Sequence, residues 1–213
     1  MAATWIFDLD DTLHNAAPHI FPHINRSMAA YMQEHLQLSA EDAGRLRAHY
    51  WRSYGATLLG MMRHHGTDPE HFLRETHEFP DLSNMVVYER GLAAMLRRLP
   101  GRKLVFSNAP GNYARAVLQL MGVYGHFDDV HSIESTGYQP KPSFAAFRSL
   151  LRTHGLIAAR CVMVEDSRAN LRPAKRLGMK TVWVTREPHS LAYVDVKTAS
   201  VLALPRLLGR LGF

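Results

Sequence analysis

From about Tyr88 onward the sequence alternates short apolar runs with amphipathic stretches, and this alternation constrains the fold more than any other feature. Gly91–Leu99 reads as a helix, Lys103–Ser107 as a strand, and Asn112–Met121 as a helix stopped by Gly122. Asp129–Ile133 reads as a weaker strand, and Ser143–His154 as a helix stopped by Gly155. Cys161–Val164, Arg168–Leu177 and Thr181–Val184 repeat the pattern as strand, helix and strand, with Gly178 closing the helix. Another apolar run, Thr4–Phe7, begins a strand read as Thr4–Leu9 near the N-terminus. Short apolar strands joined by helical crossovers predict a parallel sheet covered on both faces. Past Thr185, an edge strand near Ala199–Leu202 and a helix from Pro205 are expected.

The segment between the first strand and Gly91 is too long for one crossover. Pro18, Ile20, Ile24, Met28, Tyr31 and His35 recur with a period near four. Ser39, followed by Glu41 and Asp42, signals a second helix running through Leu46, Tyr50 and Tyr54. Asp68-Pro69 opens another, with Asp as the cap and Pro at the first helical position. The expected organisation is a helical insertion over residues 15–85, with 1–14 and 86–213 forming the sheet-bearing core.

A chain of 213 residues, 46% of them apolar, has room for one such domain with its insertion. No apolar run is long enough to span a membrane, and no signal peptide is evident. Cys161 is the only cysteine, which excludes an internal disulfide and points to the cytoplasm. Lys and Arg total 25 against 19 Asp and Glu, a net charge of +6, which suits attraction of an anionic small molecule. Arg168, Arg172, Lys175 and Arg176 fall at helical spacing and read as a solvated face rather than a nucleic-acid site. His64, His65 and His71 straddle a turn, without the order of a helical metal site. Monomer and homodimer both remain open.

The polar residues gather where the strands end. In Trp5-Ile6-Phe7-Asp8-Leu9-Asp10-Asp11, three carboxylates follow an apolar strand, an arrangement that needs a compensating cation or ligand donors. The second core strand ends in Ser107-Asn108, and the strand from Cys161 ends in Glu165-Asp166-Ser167. Between them Lys141 is flanked by Pro140 and Pro142. In a doubly wound sheet, ligands sit at the carboxyl ends of the strands near the switch in strand order. Carboxylates, a hydroxyl and a lysine assembled there suit phosphoryl transfer, where a cation must neutralise the phosphate before a carboxylate approaches it.

Asp8-Leu9-Asp10-Asp11-Thr12, Ser107-Asn108, Lys141-Pro142 and Glu165-Asp166 resemble the four ordered motifs of the haloacid dehalogenase (HAD) superfamily. The resemblance implies a HAD-like doubly wound Rossmannoid sheet of order 3-2-1-4-5 with a type-1 helical cap. It implies Asp8 as nucleophile, Asp10 as general acid and base, and Ser107, the Asn108 backbone and Lys141 as phosphate-binding groups. It further implies Mg²⁺ held by Asp8, the Asp10 carbonyl and Asp166, with Glu165 helping directly or through water. Thr12 would stabilise the loop. True haloalkanoate dehalogenases lack a carboxylate two residues after the nucleophile, so Asp10 favours phosphate esters.

The segment Tyr50–Leu58 and the stretches around Ser107 and Glu165 are similar to the pyrimidine 5′-nucleotidase-like group, with His14 where that group often has tyrosine. That likeness implies a nucleoside monophosphate such as UMP or CMP as substrate, with Tyr50, Arg52 and Tyr54 as candidates for the base. Tyrosines four apart on an apolar stripe also suit plain core packing. A phosphosugar phosphatase or phosphoglucomutase-like enzyme is one alternative. A non-catalytic regulatory or nucleic-acid-binding protein is another, opposed by the intact Asp8, Asp10, Lys141 and Asp166 set.

Overall fold

β-Branched and aromatic residues set the strands, and glycines or capping side chains punctuate the helices between them. The computed structural model describes residues 3–212; positions 1, 2 and 213 of the expected core segments lie outside that range. β1 (Thr4–Phe7) is followed by helices α1 (Ile20–Leu36), α2 (Ala40–Tyr54), α3 (Thr57–His65), α4 (Pro69–Thr76) and α5 (Leu82–Met85). Then come α6 (Leu92–Arg98), β2 (Lys103–Phe106), α7 (Gly111–Leu120), β3 (Asp129–His131), α8 (Phe144–Thr153), β4 (Cys161–Glu165), α9 (Arg168–Arg176), β5 (Lys180–Val184) and β6 (Val196–Thr198).

The sheet runs β3-β2-β1-β4-β5-β6, and every pairing is parallel. Successive strand residues face opposite sides. Trp5, Phe7, Val105, Val162 and Val164 pack with α6 and α7 on one face. Ile6, Leu104, Phe106, Cys161 and Met163 pack with α8 and α9 on the other. Burial on both faces is why these strands read as unbroken apolar runs. The chain winds outward from β1 in one direction and then from β4 in the other, so the switch in order lies between β1 and β4. Asp8 follows the first of those strands and Glu165 ends the second.

The inserted helices build an apolar cluster of their own around Tyr31, Met32, Tyr50, Met61 and Phe72. Ser39 caps α2 by accepting the Asp42 N–H, and Asp68 caps α4 by accepting that of Glu70. The way in and the way out run side by side, with the Asn15 N–H donating to the Val87 carbonyl at 2.7 Å. Gly55, left-handed at φ +79°, ends α2 against the loop that carries Lys141. A Cβ there would stand 3.2 Å from Pro142 Cδ.

One expected element moves. The edge strand is Val196–Thr198, pairing Val182 with Val196 and Val184 with Thr198, not Ala199–Leu202. The residues expected to pair instead enter a 3₁₀ turn, Val201–Arg206, which takes in Pro205 and replaces the expected α-helix. The Ser200 hydroxyl accepts the Leu202 N–H, and Val201 and Leu204 are buried in the core. Capping and burial of these two side chains outweigh a further ladder bond.

Candidate active site

Asp8 leaves the buried strand β1 directly into the mouth of a cleft, 7% exposed. Lys141, 2% exposed, reaches it from the loop before α8. Its Nζ donates to Asp8 Oδ1 at 2.7 Å, to Glu165 Oε2 at 2.9 Å and to the Phe106 carbonyl at 2.7 Å. All three ammonium protons are thereby used. The Asn108 side chain fixes the lysine's own backbone: Asn108 Nδ2 donates to the Lys141 carbonyl at 3.0 Å, and the Lys141 N–H donates to Asn108 Oδ1 at 2.7 Å. Ser107 lines the cleft, and its Oγ accepts the Ala109 N–H at 3.0 Å.

The loop after β1 is shaped by its own polar side chains. Asp11 sits at φ +61°, and its Oδ1 accepts the N–H groups of Ala16 and Ala17. This carboxylate is structural. Thr12 joins the β1 and β4 loops: its Oγ1 donates to Asp166 Oδ1 at 3.3 Å and accepts the Asp166 N–H at 3.2 Å. Asp10 points its Oδ1 at two donors, Tyr113 Oη at 2.7 Å and His14 Nε2 at 2.8 Å. Sequence reasoning misses Tyr113. Its signal there is a tyrosine within the buried stripe of α7, where a hydroxyl needs a partner.

Burial and like charge dominate the electrostatics. Desolvation, with the nearby Glu165 adding to it, pushes the Asp8 carboxyl up to about 7 against the pull of Lys141. Burial pushes Glu165 to about 7 and Asp166 to about 6. Burial also works against the Lys141 ammonium, but Asp8 and Glu165 outweigh it and hold the lysine above its ordinary value. Asp8, Glu165 and Asp166 each offer an oxygen within 4.8 Å of the others, the spacing of a metal-binding group. Three carboxylates face one ammonium, an excess of negative charge that fits a hard divalent cation. Glu165 also has both oxygens engaged: Oε2 with Lys141 and Asn170, Oε1 with the Ser167 N–H.

The cleft measures about 1060 Å³. Asp8, Asp10, Ser107, Lys141 and Asp166 lie on the sheet side. Phe21, Trp51, Arg52, Tyr54, Leu59 and Arg63 close it from the inserted helices, and Arg168 stands at the rim. Of the base-binding candidates, Tyr54 and Arg52 reach the cleft and Tyr50 does not. Tyr50 is buried against Gly60, with its hydroxyl on His65 Nε2 at 2.8 Å. His64 bonds Tyr54 and His71 bonds Tyr31. No helix is long and apolar enough to cross a membrane among the described residues.

The family model for haloacid dehalogenase-like hydrolases matches residues 3–178, and the chain belongs to that family. It is 30% identical to a phosphoglycolate phosphatase of Rhodospirillum rubrum, covering 86% of this chain and 81% of that one. It is 23% identical to phosphate metabolism protein 8 of Saccharomyces cerevisiae, of which it spans 59%. Solved structures sharing the fold include a HAD phosphatase of Thermococcus onnurineus (TM-score 0.69, 20% identity, 98% of each chain). CbbY of Rhodobacter sphaeroides, in complex with phosphate, gives 0.68 at 20% identity over the whole of both chains. An L-2-haloacid dehalogenase of Xanthobacter autotrophicus gives 0.63 at 15%, over 98% of this chain and 99% of that one. One fold thus carries both phosphatases and dehalogenases, and the chemistry has to be read from the site.

Proposed function

We propose that this protein is a Mg²⁺-dependent phosphomonoester hydrolase acting on a small phosphorylated metabolite whose leaving group carries a further negative charge. The observation that supports it best is Asp10 beside Asp8 in the cleft, with Lys141 bonded to Asp8. That set offers a nucleophile, a proton carrier and a fixed positive charge for the phosphoryl group. Asp8 attacks phosphorus through its free oxygen, and the ester oxygen leaves with a proton from Asp10. Asp10 then takes a proton from the water that opens the aspartyl-phosphate. Lys141 and the Ser107 hydroxyl bind phosphoryl oxygens. Bound through Asp8, the Asp10 carbonyl and Asp166, Mg²⁺ would neutralise phosphate charge and orient the group for in-line attack. Glu165, with its oxygens occupied, holds Lys141 in place and supports the metal from one layer further out.

Residues 15–85 serve as the cap that covers the site and reads the leaving group. Arg52 and Arg63 on the inserted helices and Arg168 at the rim suit an anionic leaving group, the kind named for the R. rubrum relative. The exposed ring of Trp51, 62% accessible at the cleft, supports a nucleoside 5′-monophosphate as a second reading. A panel with Mg²⁺ covering 2-phosphoglycolate, sugar phosphates, UMP, CMP and chloropropionate decides between them. The expected leader is 2-phosphoglycolate, and exclusive turnover of nucleotides would replace that reading with the second. Asp8→Asn is expected to lose at least about 10³-fold in kcat, as removal of a covalent nucleophile does, while leaving the fold largely intact. Turnover of chloropropionate alone would overturn the phosphatase reading.

A further inference from the structure

Both hydrogen bonds to the Asp10 carboxylate end on one oxygen. Tyr113 Oη and His14 Nε2 donate to Oδ1 at 2.7 and 2.8 Å. Asp10 lines the cleft, and neither donor does. The two come from different parts of the fold: His14 from the loop after β1, four residues on, and Tyr113 from α7.

Each donor is itself held. His14 is buried, and its Nδ1 has no hydrogen-bond partner among the described residues. A proton on Nδ1 would be a buried donor without an acceptor, so the proton belongs on Nε2, where it points at Asp10. The Tyr113 ring stacks on Phe79 with centroids 5.1 Å apart and meets His77 edge-on at 6.0 Å. Phe79 and His77 lie in the inserted segment. Burial, then the charge of Asp10, holds the Tyr113 hydroxyl well above its ordinary value, so it remains a donor.

We propose that Tyr113 and His14 are positioning residues that assign the two oxygens of Asp10 different tasks. This rests on the phosphatase reading above. Two donors fill the lone pairs of Oδ1, so a proton on Asp10 resides on Oδ2, the oxygen left for the cleft. Turning the carboxyl over would break both bonds. As the P–O bond of the ester breaks, the electron pair stays on the leaving oxygen, which takes the Oδ2 proton. Asp10 is left as a carboxylate, and it regains a proton at Oδ2 from the water that attacks the aspartyl-phosphate. Because Phe79 and His77 back Tyr113, the insertion takes part in aiming this group as well as in covering the site.

The test compares esters that need this proton with one that does not. In kcat/KM, which reports steps through departure of the first leaving group, 2-phosphoglycolate and UMP expel an alkoxide and require protonation. p-Nitrophenyl phosphate expels a stabilised phenolate. For Tyr113→Phe and His14→Leu, the loss on the better alkyl ester is expected to exceed the loss on p-nitrophenyl phosphate by about tenfold or more, within the range of general acid catalysis. His14→Gln keeps an N–H near the Nε2 position and is expected to recover most of that ratio. Equal losses on both ester types, or no loss, would overturn the proposal, and so would His14→Gln behaving like His14→Leu. Tyr113→Phe removes only an oxygen and keeps the test decisive if His14→Leu fails to fold. If the intact enzyme with Mg²⁺ turns over none of the esters, the phosphatase reading itself fails, and this inference with it.

Discussion

Replacing Lys141 by Met removes the positive charge that faces two buried carboxylates and keeps the length of the side chain. The ammonium is 2% exposed and gives its three protons to Asp8 at 2.7 Å, Glu165 at 2.9 Å and the Phe106 carbonyl at 2.7 Å. Breaking a buried pair from one side costs about 3–5 kcal/mol, because the partner charge is left unpaired. For a chain of this size that is a fall in Tm of roughly 10 °C.

The cost should depend on pH, with a sign set by the carboxyls. In the metal-free fold Asp8 and Glu165 titrate at about 7, above their ordinary values of 3.8 and 4.5. They bind more protons folded than unfolded, so the stability they lend is complete below about 4 and is lost as pH rises through about 7. Without Lys141 both folded values climb further, and the loss at pH 8 deepens. At pH 5 the two carboxyls are largely protonated in the fold, and the substitution is expected to cost only about 1–2 kcal/mol. Urea denaturation of EDTA-treated protein at pH 5 and pH 8 measures both. Adding Glu165→Gln to Lys141→Met should recover about 1–2 kcal/mol at pH 8 by removing one unpaired charge. An equal cost at both pH values, or less than about 1 kcal/mol at pH 8, would refute the reasoning.

Gly60→Ala places a Cβ 2.2 Å from Tyr50 Cγ, so the usual helical gain is expected to reverse into a loss of about 1–3 kcal/mol in thermal or urea melts. A stabilised variant would mean that Tyr50 is free to move. His131 is 1% exposed with Nε2 unpartnered among the described residues, and burial, with His154 beside it, pulls its pKa down to about 4. Its contribution is complete above the ordinary value of 6.5 and falls as pH drops towards 4, reaching a loss of about 2 kcal/mol by pH 5. His131→Asn should flatten the difference between unfolding free energies at pH 7 and pH 5 by that amount. Identical acid sensitivity in the two proteins would show that His131 plays no part in it.

Strand-end chemistry is legible in the sequence because it is local. Asp8, Ser107 and Glu165 each follow or close an apolar run, and a parallel sheet gathers strand ends whatever the intervening loops do. Helix starts are legible for the same reason: Ser39 and Asp68 cap the turns that follow them within three residues. Short elements at the C-terminal edge are less so. Val196–Thr198 is three residues long, and its pairing with β5 depends on a partner about fourteen positions away.

The sequence by itself determined which side chains arrive at the mouth of the sheet, since strand and helix periods act over a few residues. What each of them touches there is set only when the elements pack. Asp10 meets Tyr113 across 103 positions, Lys141 meets Asp8 across 133, and Thr12 meets Asp166 across 154. Tyr50 and Tyr54 stand four apart on one helix, yet Gly60 draws the first into the core and the second lines the cleft. Hydrogen bonds and ion pairs depend on distances of a few tenths of an ångström, and those distances exist only once the elements have packed.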